Sequence, residues 1–382
     1  MASKSSKRTP HVAVTGFRGI PATWGGIERQ CEETYARLAS RGYQITVYAR
    51  SHYVPGGVRF HRGVEVKRLW TLNTKYTEAI FHTFLSILHI LLIRPDIVHL
   101  YSQGPCLLIP LLRLFMPRVK VFFTCVGLDW RRKKWPSWAS RIIRLGEFFS
   151  ARLPHFHIVV SRDLQDYYRD HYGVNPYYIP NGVVSAEQIP FREALRFQLQ
   201  PKAYFLFVGR LVPEKRVEDL IEAFLSRPRR NRLVIVGDSA GTGDYVERLK
   251  AIAGDASSVV FAGYQYGRSL GELYSNSRAF ITPSELEGMP LTLLEALSHG
   301  LVCVASEIPP HREILQGIMH LSFPVGCVDA LSRCLDELDG MEPAQLDDHG
   351  RKARRHVADR FSWDLVADRL EDLYILSVRK IS

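Results

Sequence analysis

Short β-branched runs alternate with amphipathic segments along this chain, and the alternation starts twice. His11–Val14, Ile45–Ala49, Ile97–Leu100, Val119–Thr124 and Phe156–Val160 read as strands, most followed by a helical pattern. In the first helix Ile27, Cys31, Tyr35, Leu38 and Ala39 share one face, and Gly42 ends it. Prolines and turn residues then interrupt the pattern at Pro180, Asn181, Gly182, Pro190 and Pro201. Beyond them the same grammar resumes. Strands are expected at Tyr204–Val208, Leu233–Val236, Val259–Phe261, Ala279–Thr282 and Val302–Ala305, and helices at Val217–Leu225 and Asp244–Ala253. Repeated β-α-β units imply parallel sheets covered by helices on both faces. The 382 residues, 46% of them hydrophobic, suffice for two cores. The expected fold is α/β: two doubly wound, Rossmann-like domains facing across a cleft. The expected layout is a disordered basic tail (1–10), a first domain (11–190), a linker (191–202), a second domain (203–362) and a last helix (363–382) crossing back to the first. Ligands of open α/β sheets bind where strands end, which directs attention to the loops after strands.

Composition narrows the function classes. The six cysteines form no C-x-x-C pair, so zinc fingers, redox dithiols and disulfide scaffolds are disfavoured. Free cysteines fit a reducing, cytoplasmic compartment. The formal net charge is +11. Residues 1–200 carry 28 basic against 13 acidic side chains, and residues 201–382 carry 22 against 26. A basic first half suggests an anionic partner. The most apolar stretch, Ala79–Ile93, contains His82, Ser86 and His89 and falls short of the ~20 residues a spanning helix needs. A helix buried in the core, or lying at an interface, is the reading it supports.

Three loops carry chemistry. Thr15–Arg29, TGFRGIPATWGGIER, sets Gly16, Gly19, Gly25 and Gly26 before a helix, where amides and the helix dipole favour an anion. Its spacing is not G-x-G-x-x-G, no acidic residue ends the next strand, and no GK[ST] follows. Nicotinamide and Walker-type binding are disfavoured. Phe207–Arg216, FVGRLVPEKR, places Arg210 and Lys215 after the first strand of the second domain. Such a pair can neutralise a pyrophosphate without a metal. Pro283–Gly300, PSELEGMPLTLLEALSHG, places Glu287 in a loop and Glu295 about two turns into the helix opened by Gly288 and Pro290. Amides at this helix start suit phosphate, and carboxylates suit sugar hydroxyls.

These segments, with VIVGD (Val234–Asp238), FAGY (Phe261–Tyr264), GLDWRRKKW (Gly127–Trp135), VVSRDLQDYY (Val159–Tyr168) and YIPNGV (Tyr178–Val183), resemble the retaining GT-B glycosyltransferases of family 4. GIPATWGGIER and GLDWRRKKW are similar to a bacterial surface-polysaccharide branch with rhamnosyl- and mannosyltransferase-like members. The resemblance runs from about Val12 to Tyr374. It implies a nucleoside-diphosphate-sugar donor, a polysaccharide or lipid-linked acceptor, and neither metal nor other cofactor. No Asp-x-Asp occurs. It implies that Arg210 and Lys215 bind the diphosphate, Glu287 the donor sugar and Glu295 the ribose. Gly209 and the backbone of Gly288, Met289, Pro290 and Leu291 would line the donor site, with Gly25 and Gly26 approaching its phosphate. Same-face substitution is the mechanism such enzymes imply, with the leaving phosphate taking the acceptor proton and no protein nucleophile.

One residue departs from the pattern. Close relatives usually carry a histidine before the Leu-Asp-Trp segment, and Val126 stands there in FFTCVGLDW. Asp129 and His99 are the nearest substitutes in the sequence. A homologue that binds without turnover, or a soluble transferase for a small phosphorylated acceptor, are the competing readings. Arg131, Arg132, Lys133 and Lys134 lie between Trp130 and Trp135, with Trp138 close behind. Cations beside interfacial tryptophans suit an anionic membrane surface or a lipid-diphosphate acceptor. The chain is therefore expected to be peripheral at the inner face of the plasma membrane. Nucleic acid is disfavoured, because no stacking platform or binding motif accompanies the charge.

Overall fold

A computed structural model describes residues 9–23, 25–72, 74, 77–131, 135–239 and 243–379. The chain divides into two compact units, residues 1–181 with 363–382, and residues 182–362.

The first unit runs β1 (His11–Thr15), α1 (Gly26–Ser40), β2 (Gln44–Arg50), β3 (Phe60–His61), β4 (Val64–Leu69), α2 (Glu78–Ile93), β5 (Ile97–Tyr101), α3 (Ile109–Phe115), β6 (Lys120–Cys125), α4 (Ser137–Arg152), β7 (Phe156–Val159), α5 (Arg162–Tyr172) and β8 (Tyr177–Tyr178). Its sheet has the order β3-β4-β2-β1-β5-β6-β7-β8. All pairs are parallel except β3 with β4. The central strands β1 and β5 are buried along their whole length and mostly apolar, because helices cover both faces. Local signals fix the helix ends. The Ser161 hydroxyl accepts from the Leu164 N–H at the start of α5, and Gly173 closes it in the left-handed region at φ 65°.

The second unit runs β9 (Tyr204–Val208), α6 (Val217–Leu225), β10 (Arg232–Val236), α7 (Gly243–Ala253), β11 (Val259–Gly263), α8 (Gly267–Asn276), β12 (Ala279–Thr282), α9 (Leu291–Ser298), β13 (Val302–Ser306), α10 (Pro309–Leu315), β14 (Leu321–Phe323), α11 (Val328–Gly340) and α12 (Pro343–Arg360). Its wholly parallel sheet has the order β11-β10-β9-β12-β13-β14. Phe205, Phe207, Leu220, Phe224, Leu233 and Leu249 are among the side chains that fill one side of it. Both units are thus Rossmann-like and α/β.

The segment between the first-unit sheet and β9 is folded against α8. Glu272 accepts from the N–H groups of Glu193 (3.1 Å) and Ala194 (2.9 Å) and also from that of Arg192. The last helix, α13 (Trp363–Arg379), packs along α1 in the first unit. Arg41 bridges Asp368 (2.7 Å) and Glu371 (2.6 Å) there, and Arg37 reaches Asp364 at 2.7 Å. Beneath these pairs the Tyr374 hydroxyl meets His99 Nδ1 at 2.7 Å. The other ring nitrogen of His99 meets Thr124 at 2.8 Å, and burial lowers its pKa to about 3. His99 is a neutral core residue that ties a helix to the sheet.

Helix α2 inverts the usual pattern. Its polar His82, Thr83 and Ser86 are buried, while Phe84, Leu88 and Leu92 are exposed. Composition predicts a buried or interface-lying helix, and only part of its apolar surface is buried.

Candidate functional site

The site is built from three strand ends of the second unit. Gly209 follows β9, and its N–H donates to Val236 O at 3.0 Å. Leu211 N–H donates to Asp238 O at 3.1 Å. The chains approach so closely that a Cβ on Gly237, held at φ 145°, would lie 1.8 Å from Gly209 O. This leaves Arg210 exposed just past the end of the strand. A single 3-10 turn, Pro213–Lys215, then brings Lys215 back. Its neighbour Arg216 takes φ 48° and pairs with Asp219 at 2.6 Å and with Glu285 at 3.5 Å. Glu285 N–H in turn donates to Glu214 O at 2.9 Å. Arg216 therefore ties the β9–α6 loop to the β12–α9 loop.

That tie brings together two residues 72 positions apart. Lys215 Nζ donates to Glu287 Oε1, in a contact only 14% and 12% exposed on the two side chains. Burial by itself would raise the Glu287 pKa. The Lys215 charge, the nearby His311 and hydrogen bonds from Lys215 and Ser284 outweigh it and hold the carboxyl below its ordinary value. The pair is ionic and pre-formed. Next to it, α9 starts at Leu291 with Pro290 as its N-cap and no side chain capping it. Met289 and Pro290 are buried, and Gly288 and Leu291 half-buried. The helix start thus adds a positive dipole end to the same loop.

Glu295 is half-buried on the same helix. The Tyr274 hydroxyl donates to Glu295 Oε2 at 3.3 Å. The Tyr274 ring stacks on His299, with centroids 5.2 Å apart. Burial lowers the His299 pKa to about 4, so the stack is neutral. Tyr264, just beyond β11, has its hydroxyl pKa raised by burial, then by Tyr266 and the Glu295 charge. Glu295 is thus held in an aromatic setting.

Two residues of this setting escape sequence reasoning, Tyr274 and His311. His311 opens α10 and is 1% exposed. Its Nδ1 lies 2.9 Å from Ser306 O, which makes Nδ1 the donor and leaves Nε2 as a lone-pair acceptor. Nε2 has no hydrogen-bond partner among the described residues. Burial lowers the pKa to about 4, although the Glu287 charge opposes the drop. The only sequence signal is its position, five residues past the end of a core strand.

The glycine loop of the first unit is organised differently. Gly16 (φ 99°) and Gly19 (φ 125°) fit against Tyr101 O and Ala49, where a Cβ would come within 2.1 and 2.4 Å. Packing alone requires both glycines. Gly25 and Gly26 are exposed at the start of α1. The loop's amides are taken by carboxylates: Ala22 N–H donates to Glu32 Oε2 at 2.5 Å and Arg18 N–H to Glu28 Oε1 at 3.3 Å. Burial raises the pKa of Glu28 against the pull of Arg18.

Of the predicted membrane cluster, Arg132, Lys133 and Lys134 lie outside the described residues. Trp130 is anchored inward, its indole donating to Glu147 Oε2 at 2.7 Å. The fully buried Glu147 also accepts from Gln103 at 2.8 Å and from Tyr167 and Tyr172 at 2.7 Å each. The Arg131 guanidinium lies over both Trp130 and Tyr167. Trp135 is half-buried, and Val126 is half-buried just past β6.

Residues 24–187 match the family described as Glycosyltransferase Family 4, and residues 191–342 match Glycosyl transferases group 1. A GDP-mannose-dependent alpha-mannosyltransferase of Mycobacterium tuberculosis is 27% identical over 94% of each chain. An uncharacterized glycosyltransferase of Methanocaldococcus jannaschii is 28% identical over 54% of this chain, which spans about half (53%) of that relative's length. The sucrose-phosphate synthase of Thermosynechococcus elongatus superposes with a TM-score of 0.82 at 19% identity, over 98% of this chain and 100% of that one. The chain thus joins a Glycosyltransferase Family 4 domain to a Glycosyl transferases group 1 domain, the make-up of a GT-B glycosyltransferase.

Proposed function

We propose that the chain transfers a hexose or deoxyhexose from a nucleoside-diphosphate sugar to a saccharide or lipid-linked acceptor, with retention and without a metal. The observation that carries the reading is the buried Lys215–Glu287 pair between two strand-end loops, beside the uncapped start of α9. Sugar transfer builds negative charge on the leaving diphosphate and positive charge on the sugar. Lys215, Arg210 and the first amides of α9 stabilise the former by fixed charge and dipole. The Glu287 carboxylate, kept ionised, accepts from a donor-sugar hydroxyl and faces the developing positive charge. Glu295 accepts from the ribose hydroxyls, steadied by Tyr274. The name of the mycobacterial relative makes GDP-mannose the first donor to assay. We place the reaction at the inner face of the plasma membrane, a reading that rests on the basic, tryptophan-bearing stretch 130–138 and on the acceptor class.

Calorimetry with GDP, UDP, dTDP and ADP, without added metal, tests the donor site. One of them is expected to bind, and Lys215→Ala to weaken it at least ~10-fold. Silence with all four overturns the transfer reading.

A further inference from the structure

The outer surface of α4 is apolar where a soluble helix is polar. Trp138, Ile142, Leu145 and Phe148 recur at helical spacing and are 40–53% exposed. The inward side holds Ala139, Ile143, Gly146, Glu147, Ser150 and Ala151, and Glu147 is the helix's only carboxylate. Its apolar residues therefore line both sides, and its charged outer residues, Arg141, Arg144 and Arg152, are all cationic.

The stripe has neighbours. Both α2 and α4 pack on the short turn Gly104–Leu108 that leads into α3. Right-handed crossovers put these three helices on one face of the sheet, opposite α1 and the α13 packed on it; α5, at the β8 end of the same face, carries Asp166 and Asp170, both paired with Arg169. On α3, Leu114 and Phe115 are exposed beside Arg113. On α2, Phe84, Leu88 and Leu92 point outward, and Leu92 is 80% exposed. The one carboxylate on α2, Glu78, is half-buried and bound to Arg50 at 2.9 Å. No exposed carboxylate therefore occurs on the three helices. Nine large apolar side chains interspersed with arginines form more than scattered surface hydrophobics. No helix among the described residues is long and apolar enough to cross a membrane.

We infer that the α2–α3–α4 face of the first unit docks on an anionic lipid bilayer, with α4 lying in the headgroup layer. Charge complementarity selects this occupant. A second copy of the chain would set arginines against arginines, whereas anionic headgroups pair with them while the apolar stripe enters the acyl boundary. Trp138, near the start of α4 and 53% exposed, supplies an indole of the kind favoured at a membrane interface. The docking face differs from the stretch around Trp130, whose indole is spent on Glu147. The inference deepens the membrane placement proposed above, and its test needs no donor or acceptor.

The test is co-sedimentation of the full chain with phosphatidylcholine vesicles holding about 30 mol% phosphatidylglycerol, and with pure phosphatidylcholine. Binding is expected only to the anionic vesicles, and it should weaken as salt rises. The double variant Leu145→Asp/Phe148→Asp should lose at least ~10-fold in affinity, because carboxylates replace the inserted apolar groups. Arg141→Glu/Arg152→Glu should lose binding mainly at low salt. Unchanged circular dichroism and melting would show that these outward-facing changes spare the fold. If wild type binds but only Arg131, Arg132, Lys133 and Lys134 matter, the face is wrongly assigned while the membrane placement stands. If wild type ignores both vesicles, both fall. If light scattering finds a dimer that Leu145→Asp/Phe148→Asp dissociates, the face joins two copies and the inference fails. Nucleotide binding by every variant should match wild type, which separates this outcome from failure of the donor site.

Discussion

Each unit ends its first strand in a loop that a close-packed glycine allows, yet opposite charges hold the two loops. In the first unit, carboxylates of α1 reach back to the loop amides of Arg18 and Ala22. In the second, a lysine meets the carboxylate of the neighbouring loop, while the starts of α1 and α9 alike lack a side-chain cap. The same Rossmann-like grammar thus yields one loop with turn amides held by carboxylates and one with a lysine paired to the carboxylate of a second loop. A glycine-rich turn before a helix does not by itself make an anion site; what the neighbouring side chains leave unfilled decides it.

Breaking the second loop should have the largest effect. Glu287→Gln preserves size and removes the charge. Turnover with the best donor is expected to fall ~10²–10³-fold, with nucleoside-diphosphate binding retained. Lys215→Ala should lower both turnover and diphosphate binding. If Glu287→Gln transfers sugar at the wild-type rate, the ionic pair is structural and the contrast between the loops disappears.

Next comes the backbone that positions Lys215. In Gly237→Ala the methyl would run into Gly209 O at a φ that side chains rarely adopt. Destabilisation of roughly 2–4 kcal/mol is expected in denaturant titration. Gly16→Ala should cost a similar amount, because its methyl would lie 2.1 Å from Tyr101 O at φ 99°. Equal losses at the two glycines would separate packing, which the loops share, from charge, which they do not. Smaller again is Glu295→Ala. It should raise KM for the donor about 10-fold with little change in kcat, the signature of ground-state binding.

Much of this architecture is legible in the sequence, for a physical reason. Strands buried on both faces must be apolar runs, so β1, β2, β5, β6 and β9 stand out. Edge elements do not. In Val64–Leu69 charged Glu65, Lys67 and Arg68 interrupt the apolar residues, and β14 is three residues long. The two glutamates and the Arg–Lys pair are visible as motifs. That Lys215 rests on Glu287 is not, because the contact spans 72 positions and depends on Arg216 joining two loops. His311 is invisible for the same reason. The glycines of the first loop mislead, because only the folded backbone separates a glycine required by packing, such as Gly16, from one left open at a helix start, such as Gly26.

Acidification gives the smallest effect and separates the loops by sign. His311 titrates near 6.5 when unfolded and about 4 when folded. Its unfolded form takes up the proton first, so stability is lost as pH falls from 6.5 towards 4. The lowered pKa of Glu287 acts in the same direction below 4.5, where protonation breaks the pair with Lys215. Glu28 in the first loop acts in the opposite direction. Its folded pKa is raised, so the folded chain takes up the proton first and gains stability as pH falls towards 4.5. Denaturant titrations at about pH 6.5 and 5 should therefore show wild type losing stability, with the buried His99 and His299 adding to the loss from His311, so each loop's share is read from its variant. His311→Asn keeps a donor for Ser306 O and should lose less than wild type. Glu28→Gln removes the opposing gain and should lose more. If both variants shift in the same direction, the two loops are not electrostatic opposites, and the difference between them reduces to packing.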